Sequence, residues 1–87
     1  MELPPDEMRA IILRMKRAKG HLGRVITMLE EGSDCEDVLT QLAAVNKALS
    51  RSGYAIVATG LQHCLADGES ADGPDVAKLE KLFLALA

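Results

Sequence analysis

The sequence predicts an all-α protein with three helices, two of them long and one short and C-terminal. Three observations lead to this prediction. Apolar residues make up 48% of the chain and are almost all aliphatic or methionine, with no Trp, one Tyr and one Phe. They recur at helical spacing, and no stretch alternates between apolar and polar residues as a half-buried strand does. With 87 residues the chain suits one domain, residues 1–87.

The first predicted helix covers residues 5–31. Pro5 suits the first turn of a helix, acidic residues follow it, and Gly32 suits the position just after a helix ends. Apolar or small side chains recur with the alternating spacing of three and four residues that is typical of a coiled-coil seam. The seam residues are Met8, Ile11, Met15, Ala18, Leu22, Val25 and Leu29.

The second predicted helix runs from about Asp34 to Ala66. Residues 33–36 have the pattern of a capping box, with Ser33 as the cap, and Gly68 suits the position after the helix. Its apolar stripe consists of Val38, Leu42, Val45, Leu49, Ile56 and Val57.

Gly53 and Gly60 lie seven residues apart on one face of this second helix. A glycine inside a helix costs about 1 kcal/mol relative to alanine. The two glycines are therefore either tolerated at that cost or required because another helix approaches closely there. The sequence leaves both interpretations open.

A short third helix follows a polar turn at residues 67–74. Pro74 suits its first turn. Its apolar face consists of Val76, Leu79, Phe83 and Leu86.

Helix length predicts that the chain assembles with further copies of itself. At 1.5 Å per residue the first two helices are about 40 Å long or longer, and one short helix cannot cover both of their apolar stripes. We therefore expect a helical bundle of at least two chains. No signal peptide and no membrane-spanning apolar run is recognisable, so we expect a cytoplasmic protein with reduced thiols.

The two cysteines are separated by 29 residues, from Cys35 to Cys64. In one continuous helix this separation corresponds to eight turns plus about 20°, and to about 43 Å along the axis. The thiols then share a face but are too distant for a disulfide, which needs Cα atoms within about 7 Å. They can meet only between chains, where an antiparallel pair of second helices would place Cys35 beside Cys64 of the other chain.

Three interpretations of this pair stay open from the residues alone. The cysteines can be small buried side chains, act in thiol redox chemistry, or bind a soft ion such as Cu(I). A histidine at position 60 would share the face of Cys64, but this residue is Gly60, and His63 points about 100° away. We expect both His63 and His21 to be solvated. Two thiols without a well-placed histidine favour redox chemistry, so no metal ligands are predicted; if copper binds, the candidates are Cys35, Cys64 and His63.

Basic residues dominate the helical part of an acidic protein. The net charge is −3, yet no acidic residue occurs between Met8 and Leu29 or between Val38 and Ala66. Ordinary helix faces mix both signs, so we predict that this surface binds double-stranded DNA. The candidate residues are Arg14, Lys16, Arg17, Lys19, Arg24, Lys47 and Arg51. No helix-turn-helix pattern accompanies them.

Nothing in the sequence has the pattern of an enzyme. We find no catalytic triad, metal-ligand cluster or phosphate-binding loop. A helical scaffold that binds a protein partner and no DNA is the lesser alternative to a DNA-binding protein.

Two segments, RMKRAKGHLGRV at residues 14–25 and CEDVLTQLAAVNKAL at residues 35–49, followed by Cys64, resemble the CsoR family of bacterial repressors. The resemblance is strong over about residues 8–66. It implies an all-helical homodimer that doubles to a disc-like homotetramer. Such a protein binds operator DNA and releases it when an inducer reacts or binds between subunits.

Within this family the chain resembles the CstR-type persulfide sensors, which keep the two cysteines and lack the histidine of the copper sensors. The resemblance implies that Cys35 attacks a sulfane-sulfur donor and that Cys64 of the neighbouring subunit resolves the product into a sulfur bridge. Bridging would weaken operator binding and release genes for sulfide detoxification. A Cu(I)-sensing repressor that uses the same two thiols is the alternative. No cofactor and no membrane partner are expected.

Overall fold

The computed structural model describes residues 2–87, so Met1 of the predicted domain lies outside the described residues. A 3₁₀ turn at Pro5–Met8 precedes three α-helices, which are α1 (Arg9–Glu30), α2 (Cys35–Ala66) and α3 (Pro74–Leu86). Residues 2–87 contain no β-strand. The prediction of an all-α fold with two long helices and one short helix is confirmed.

The predicted ends of α1 and α2 are also confirmed. Gly32 and Gly68 adopt positive φ angles of 73° and 89°, a conformation that costs glycine least. After α2, the Glu69 N–H donates to the Cys64 carbonyl with an N···O distance of 3.1 Å. This bond belongs to a Schellman motif, which satisfies the last carbonyls of the helix and turns the chain back.

The predicted starts of α1 and α2 are wrong in detail. The segment Pro5–Met8 is a 3₁₀ turn, and the α-helix begins only at Arg9. The cap of α2 is Asp34 rather than Ser33, because the Asp34 carboxylate reaches the Glu36 N–H at 3.1 Å. Cys35 is therefore the first residue of α2.

The helices form a thin layer with α2 in the middle. α2 packs against α1 along one side and against α3 along the other. The Cα atoms extend over 53 × 26 × 13 Å, and the radius of gyration is 16.6 Å. A compact chain of this length would have a radius of gyration of about 12 Å. The chain therefore has two broad open faces and little interior.

Two small clusters of buried side chains hold the layer together. Val25, Val38 and Val45 join α1 to α2. At the other end, Cys64, Val76 and Leu79 join α2 to α3.

Only part of the predicted seam on α1 is buried. Ala18 and Val25 are 3% and 2% exposed, whereas Met15, Leu22 and Leu29 are 39% to 62% exposed. The physical reason is that α1 packs against a single long helix, which covers one side of the seam. The uncovered side forms an apolar stripe open to solvent. Among residues 2–87, no helix is both long and apolar enough to cross a membrane.

The two glycines of α2 lie beneath α3. A Cβ at Gly53 would be 2.9 Å from Leu86 Cδ1, and a Cβ at Gly60 would be 3.4 Å from Leu79 Cδ1. At Gly53 the close neighbour is the flexible end of the Leu86 side chain, which favours the close-approach interpretation there, while Gly60 has room for ordinary contact. α2 continues unbroken through both positions.

Candidate functional site

Cys35 lies at the exposed start of α2. It follows the capping residue Asp34 and shares a shallow, open surface with Glu36 and Leu39. The accessible thiol of the chain is therefore Cys35.

Cys64 lies in the last turn of α2, and its side chain is only 4% exposed. Val76 and Leu79 of α3 cover it. Burial raises the pKa of the Cys64 thiol above its ordinary value, and the neighbouring carboxylates of Glu69 and Asp75 raise it further. At neutral pH this thiol holds its proton and is a poor nucleophile.

The predicted separation of the two cysteines depends on α2 being one unbroken helix, and α2 is continuous from Cys35 to Ala66. Both thiols are free in the chain. With 32 residues in one helix, Cys35 and Cys64 stand about 43 Å apart and cannot meet within a chain.

Side chains that could ligate a metal ion surround Cys64, and the sequence did not predict them. One donor atom each from Cys64, Glu69 and Asp75 lies within 4.8 Å of the others. The three residues come from the end of α2, the connecting loop and the first turn of α3, so no short motif links them. The Schellman signal at Gly68 and the helix start at Pro74 were the only hints that the chain reverses here.

Glu69 also serves as the cap of α3. Its Oε1 accepts hydrogen bonds from the backbone N–H groups of Asp75 and Val76 at 2.7 and 3.3 Å. The residue in the capping position is Gly73, which has no side chain to do this. A Cβ at Gly73 would lie 2.1 Å from Glu69 Oε1. Glycine at this position therefore leaves room for the carboxylate of Glu69.

The expectation that the histidines are solvated is wrong for both. His63 is half-buried and pairs with the carboxylate of Glu7. His21 Nε2 lies 2.6 Å from Gln41 Oε1, across the α1–α2 contact. Helix packing brought these partners into reach, which sequence spacing does not reveal. His63 is not part of the donor group around Cys64.

The predicted DNA-binding residues divide into two groups. Arg14, Arg17 and Arg51 line one cleft of about 450 Å³ between α1 and α2, together with His21. The other four candidates are exposed and lie outside this cleft. They are Lys16, Lys19, Arg24 and Lys47. Three guanidinium groups around one cleft suit a phosphate-sized anion.

Comparisons with known proteins agree with these features. A family model described as a metal-sensitive transcriptional repressor matches residues 7–87. The copper-sensing transcriptional repressor CsoR of Mycobacterium ulcerans is 36% identical over 81 residues, which are 93% of this chain and 68% of that protein. CsoR of Mycobacterium tuberculosis is 33% identical over 78 residues, 90% of this chain and 65% of that protein.

The copper-sensing transcriptional repressor RicR of Mycobacterium tuberculosis is 33% identical over 75 residues, 85% of this chain and 78% of that protein. The chain thus spans about two thirds of the length of the CsoR proteins that it matches. No solved structure matches the chain. These relatives carry copper-sensing names, and the narrower resemblance to persulfide sensors stays a prediction. With the match covering residues 7–87, the chain belongs to the family of metal-sensitive transcriptional repressors, the CsoR family.

Proposed function

We propose that this repressor acts as a homo-oligomer that binds double-stranded DNA and releases it when Cu(I) binds Cys35 of one subunit and Cys64 of another. The observation that carries the proposal is the position of the two thiols at opposite ends of one continuous helix, in a chain similar to copper-sensing repressors. Thiolates are the ligands that Cu(I) prefers.

The open faces of the chain support an oligomer. Ile12, Ile26 and Leu29 are 41% to 62% exposed along α1, and Leu39 and Leu49 are 56% and 41% exposed along α2. Exposed apolar stripes of this length on a thin layer are stabilised by burial against another chain. An antiparallel pairing of two α2 helices would bury the exposed apolar side chains of α2 and bring each Cys35 near the other chain's Cys64.

The environment of Cys64 suggests how binding is coupled to a structural change. Cu(I) needs the thiolate, so the buried Cys64 thiol must lose its proton and its cover from α3 must change. The α3 residues that cover the thiol, Val76 and Leu79, would then repack. A change at the sensor thiol is in this way transmitted to the packing of a whole helix.

Within this proposal, the cleft lined by Arg14, Arg17 and Arg51 contacts the DNA. To test it, each arginine is replaced by alanine, with Lys81→Ala on α3 as the control that removes a charge elsewhere. We expect each arginine variant to weaken binding to duplexes selected from a random-sequence pool, and to lower the slope of log K against log salt by about 1. Equal effects from Lys81→Ala would argue against the cleft.

The inducer is tested by titrating the reduced chain with Cu(I) against a competing chelator while DNA binding is followed by fluorescence anisotropy. We expect one Cu(I) per chain and loss of DNA binding, with Cys35→Ser and Cys64→Ser each abolishing both. His63→Ala is the matched control and keeps the response. DNA release by Cu(I) in either cysteine variant would contradict the shared site.

Reactive sulfur is the second candidate inducer, and the surroundings of position 60 favour it. Gly60 supplies no nitrogen ligand, Leu79 covers it, and His63 pairs with Glu7 instead. The Cys35 thiolate would attack the sulfane sulfur of a persulfide RSSH, releasing RSH and leaving a Cys35 persulfide. The Cys64 thiolate of another chain would then attack the Cys35 sulfur and expel hydrosulfide, forming a disulfide.

Intact-mass measurement separates the two candidates. After treatment with a polysulfide, the sulfur mechanism predicts a covalent dimer that reductant reverses and that neither cysteine variant forms. The copper mechanism predicts DNA release by Cu(I) without any covalent change in mass.

A further inference from the structure

We propose that Cys64, Glu69 and Asp75 of a single chain form a binding site for a divalent cation of borderline softness, of which Zn²⁺ is the representative. The site is distinct from the thiol pair shared between subunits, because it does not use Cys35. It shares only Cys64 with the proposed function.

The donor atoms are close enough to converge on one ion. Each lies within 4.8 Å of the other two. Bond lengths of about 2.3 Å from Zn²⁺ to sulfur and about 2.0–2.2 Å to oxygen place tetrahedral ligand atoms roughly 3.5 Å apart. A contraction of about 1 Å, within the reach of a Glu side chain, therefore completes three ligands. The fourth position is left for water, as in open zinc sites.

The group differs from an ordinary surface cluster of acids. Its sulfur ligand is 4% exposed and faces the two carboxylates, and both carboxylate residues are partly buried. The position beside them is Gly73, whose missing side chain leaves the space that the Glu69 carboxylate occupies. Lys78 forms an ion pair with Asp75 at 3.9 Å.

The charges in this pocket suit a cation. The carboxylates of Glu69 and Asp75 face the thiol of Cys64, so negative charge surrounds the place that a cation would take. Binding of M²⁺ displaces the thiol proton, and the ion is then balanced by one thiolate and two carboxylates. The excess negative charge lies at the N-terminus of α3, where the helix dipole stabilises it.

The mixed donor set selects the class of ion. One thiolate with two carboxylates suits Zn²⁺ or Co²⁺. Ca²⁺ and Mg²⁺ prefer sites made of oxygen alone, and Cu(I) prefers the pair of thiolates. Because a bound divalent ion would hold Cys64 and tie α3 to α2, it would oppose the reaction of Cys64 with the inducer.

The experiment uses Co²⁺ as a spectroscopic probe on the reduced protein under anaerobic conditions. We expect one Co²⁺ per chain, a thiolate-to-cobalt charge-transfer band in the near ultraviolet, release of one proton from the thiol, and displacement by Zn²⁺. Cys35→Ser keeps all of these, whereas Cys64→Ser abolishes the band. Asp75→Asn weakens Co²⁺ binding at least roughly tenfold, and Asp72→Asn in the same loop is the matched control.

Glu69→Gln gives a second test, with far-ultraviolet circular dichroism to check that α3 remains capped. Loss of Co²⁺ binding in Cys35→Ser would overturn the proposal, because the ion would then bind the pair shared between subunits. Unchanged binding in both Asp75→Asn and Glu69→Gln would overturn it as well. Cu(I) titration of these two carboxylate variants should stay at one ion per chain, so failure of this site and failure of the copper site give different results.

Discussion

The two ends of α2 carry the same side chain in opposite surroundings. Cys35 stands exposed at the first residue of the helix, beside its capping carboxylate Asp34. Cys64 is 4% exposed in the last turn, beneath α3 and beside the carboxylate of Glu69. One helix therefore presents an accessible thiol to other molecules and keeps its partner protected. The difference is produced by α3, which covers only one end.

The largest expected effect is a difference in alkylation rate. We expect iodoacetamide at pH 7 to modify Cys64 roughly 100-fold more slowly than Cys35, because burial and a raised pKa both lower the concentration of reactive thiolate. Mass spectrometry after timed pulses measures the two rates, with Cys35→Ser and Cys64→Ser assigning them. In denaturant the rates should become equal. Equal alkylation rates of Cys35 and Cys64 in the native protein would show that α3 does not protect Cys64.

A pair of core substitutions tests whether α3 protects Cys64. Val45→Ala and Val76→Ala each remove buried carbon, at 1% and 4% exposure, and each should cost about 2 kcal/mol of unfolding free energy. Only Val76 belongs to the cluster that contains Cys64, so only Val76→Ala should increase the alkylation rate of Cys64 below the unfolding transition. Denaturant titration and alkylation measure the two effects. The same acceleration in Val45→Ala would show that exposure occurs by global unfolding.

Two glycine substitutions should change stability in opposite directions. Gly73→Ala displaces the Glu69 carboxylate, and we expect a loss of about 1 kcal/mol, the usual value of a helix cap. Gly20→Ala, whose Cβ would have no neighbour within 4 Å in the chain, should gain about 0.5–1 kcal/mol through helix propensity. Thermal unfolding measures both. Destabilisation by Gly20→Ala would show that another chain packs on that side of α1.

The cap at the Cys35 end has its own test. Asp34→Ala removes the acceptor of the Glu36 N–H and should cost about 1 kcal/mol. The matched variant Ser33→Ala should have little effect, because Asp34 is the cap. The reverse order of the two losses in unfolding free energy would restore Ser33 as the capping residue.

The smallest expected effect is a dependence of stability on alkaline pH. The folded chain holds the Cys64 proton more tightly than the unfolded chain, whose thiol has the ordinary pKa of 9.0. The resulting stabilisation is complete below pH 9.0 and disappears as pH rises through the higher pKa of the folded state. Denaturant titrations across this range measure it, and Cys64→Ala should lose the dependence. A dependence that persists in Cys64→Ala must come from another group.

Much of the fold could be predicted because its signals are local. Gly32, Gly68 and Pro74 mark helix ends through backbone angles that depend on the residue itself. The apolar periodicity of α2 and the cysteine spacing follow from the turn of one helix. The arginine-rich stretches likewise marked the surface on which the cleft of Arg14, Arg17 and Arg51 was found.

The sequence misled us where a partner comes from a distant segment. His21 and His63 were expected to be solvated, yet Gln41 reaches His21 across the α1–α2 contact, and Glu7 reaches His63 from the 3₁₀ turn before α1. Glu69 and Asp75 gave no signal as neighbours of Cys64, because their approach depends on how sharply the chain reverses between α2 and α3.

The sequence by itself determined three helices, the C-terminal ends of the two long ones and a pair of thiols that cannot meet within one chain. These features depend on interactions between residues a few positions apart in the chain, so the spacing of residues in the sequence predicts them. Only the tertiary structure decided that one thiol is buried and the other exposed, and that Glu69 both caps α3 and faces Cys64. The reason is that burial and charge around a side chain depend on where α3 lies, and α3 is positioned by the packing of Leu79 and Leu86 over Gly60 and Gly53.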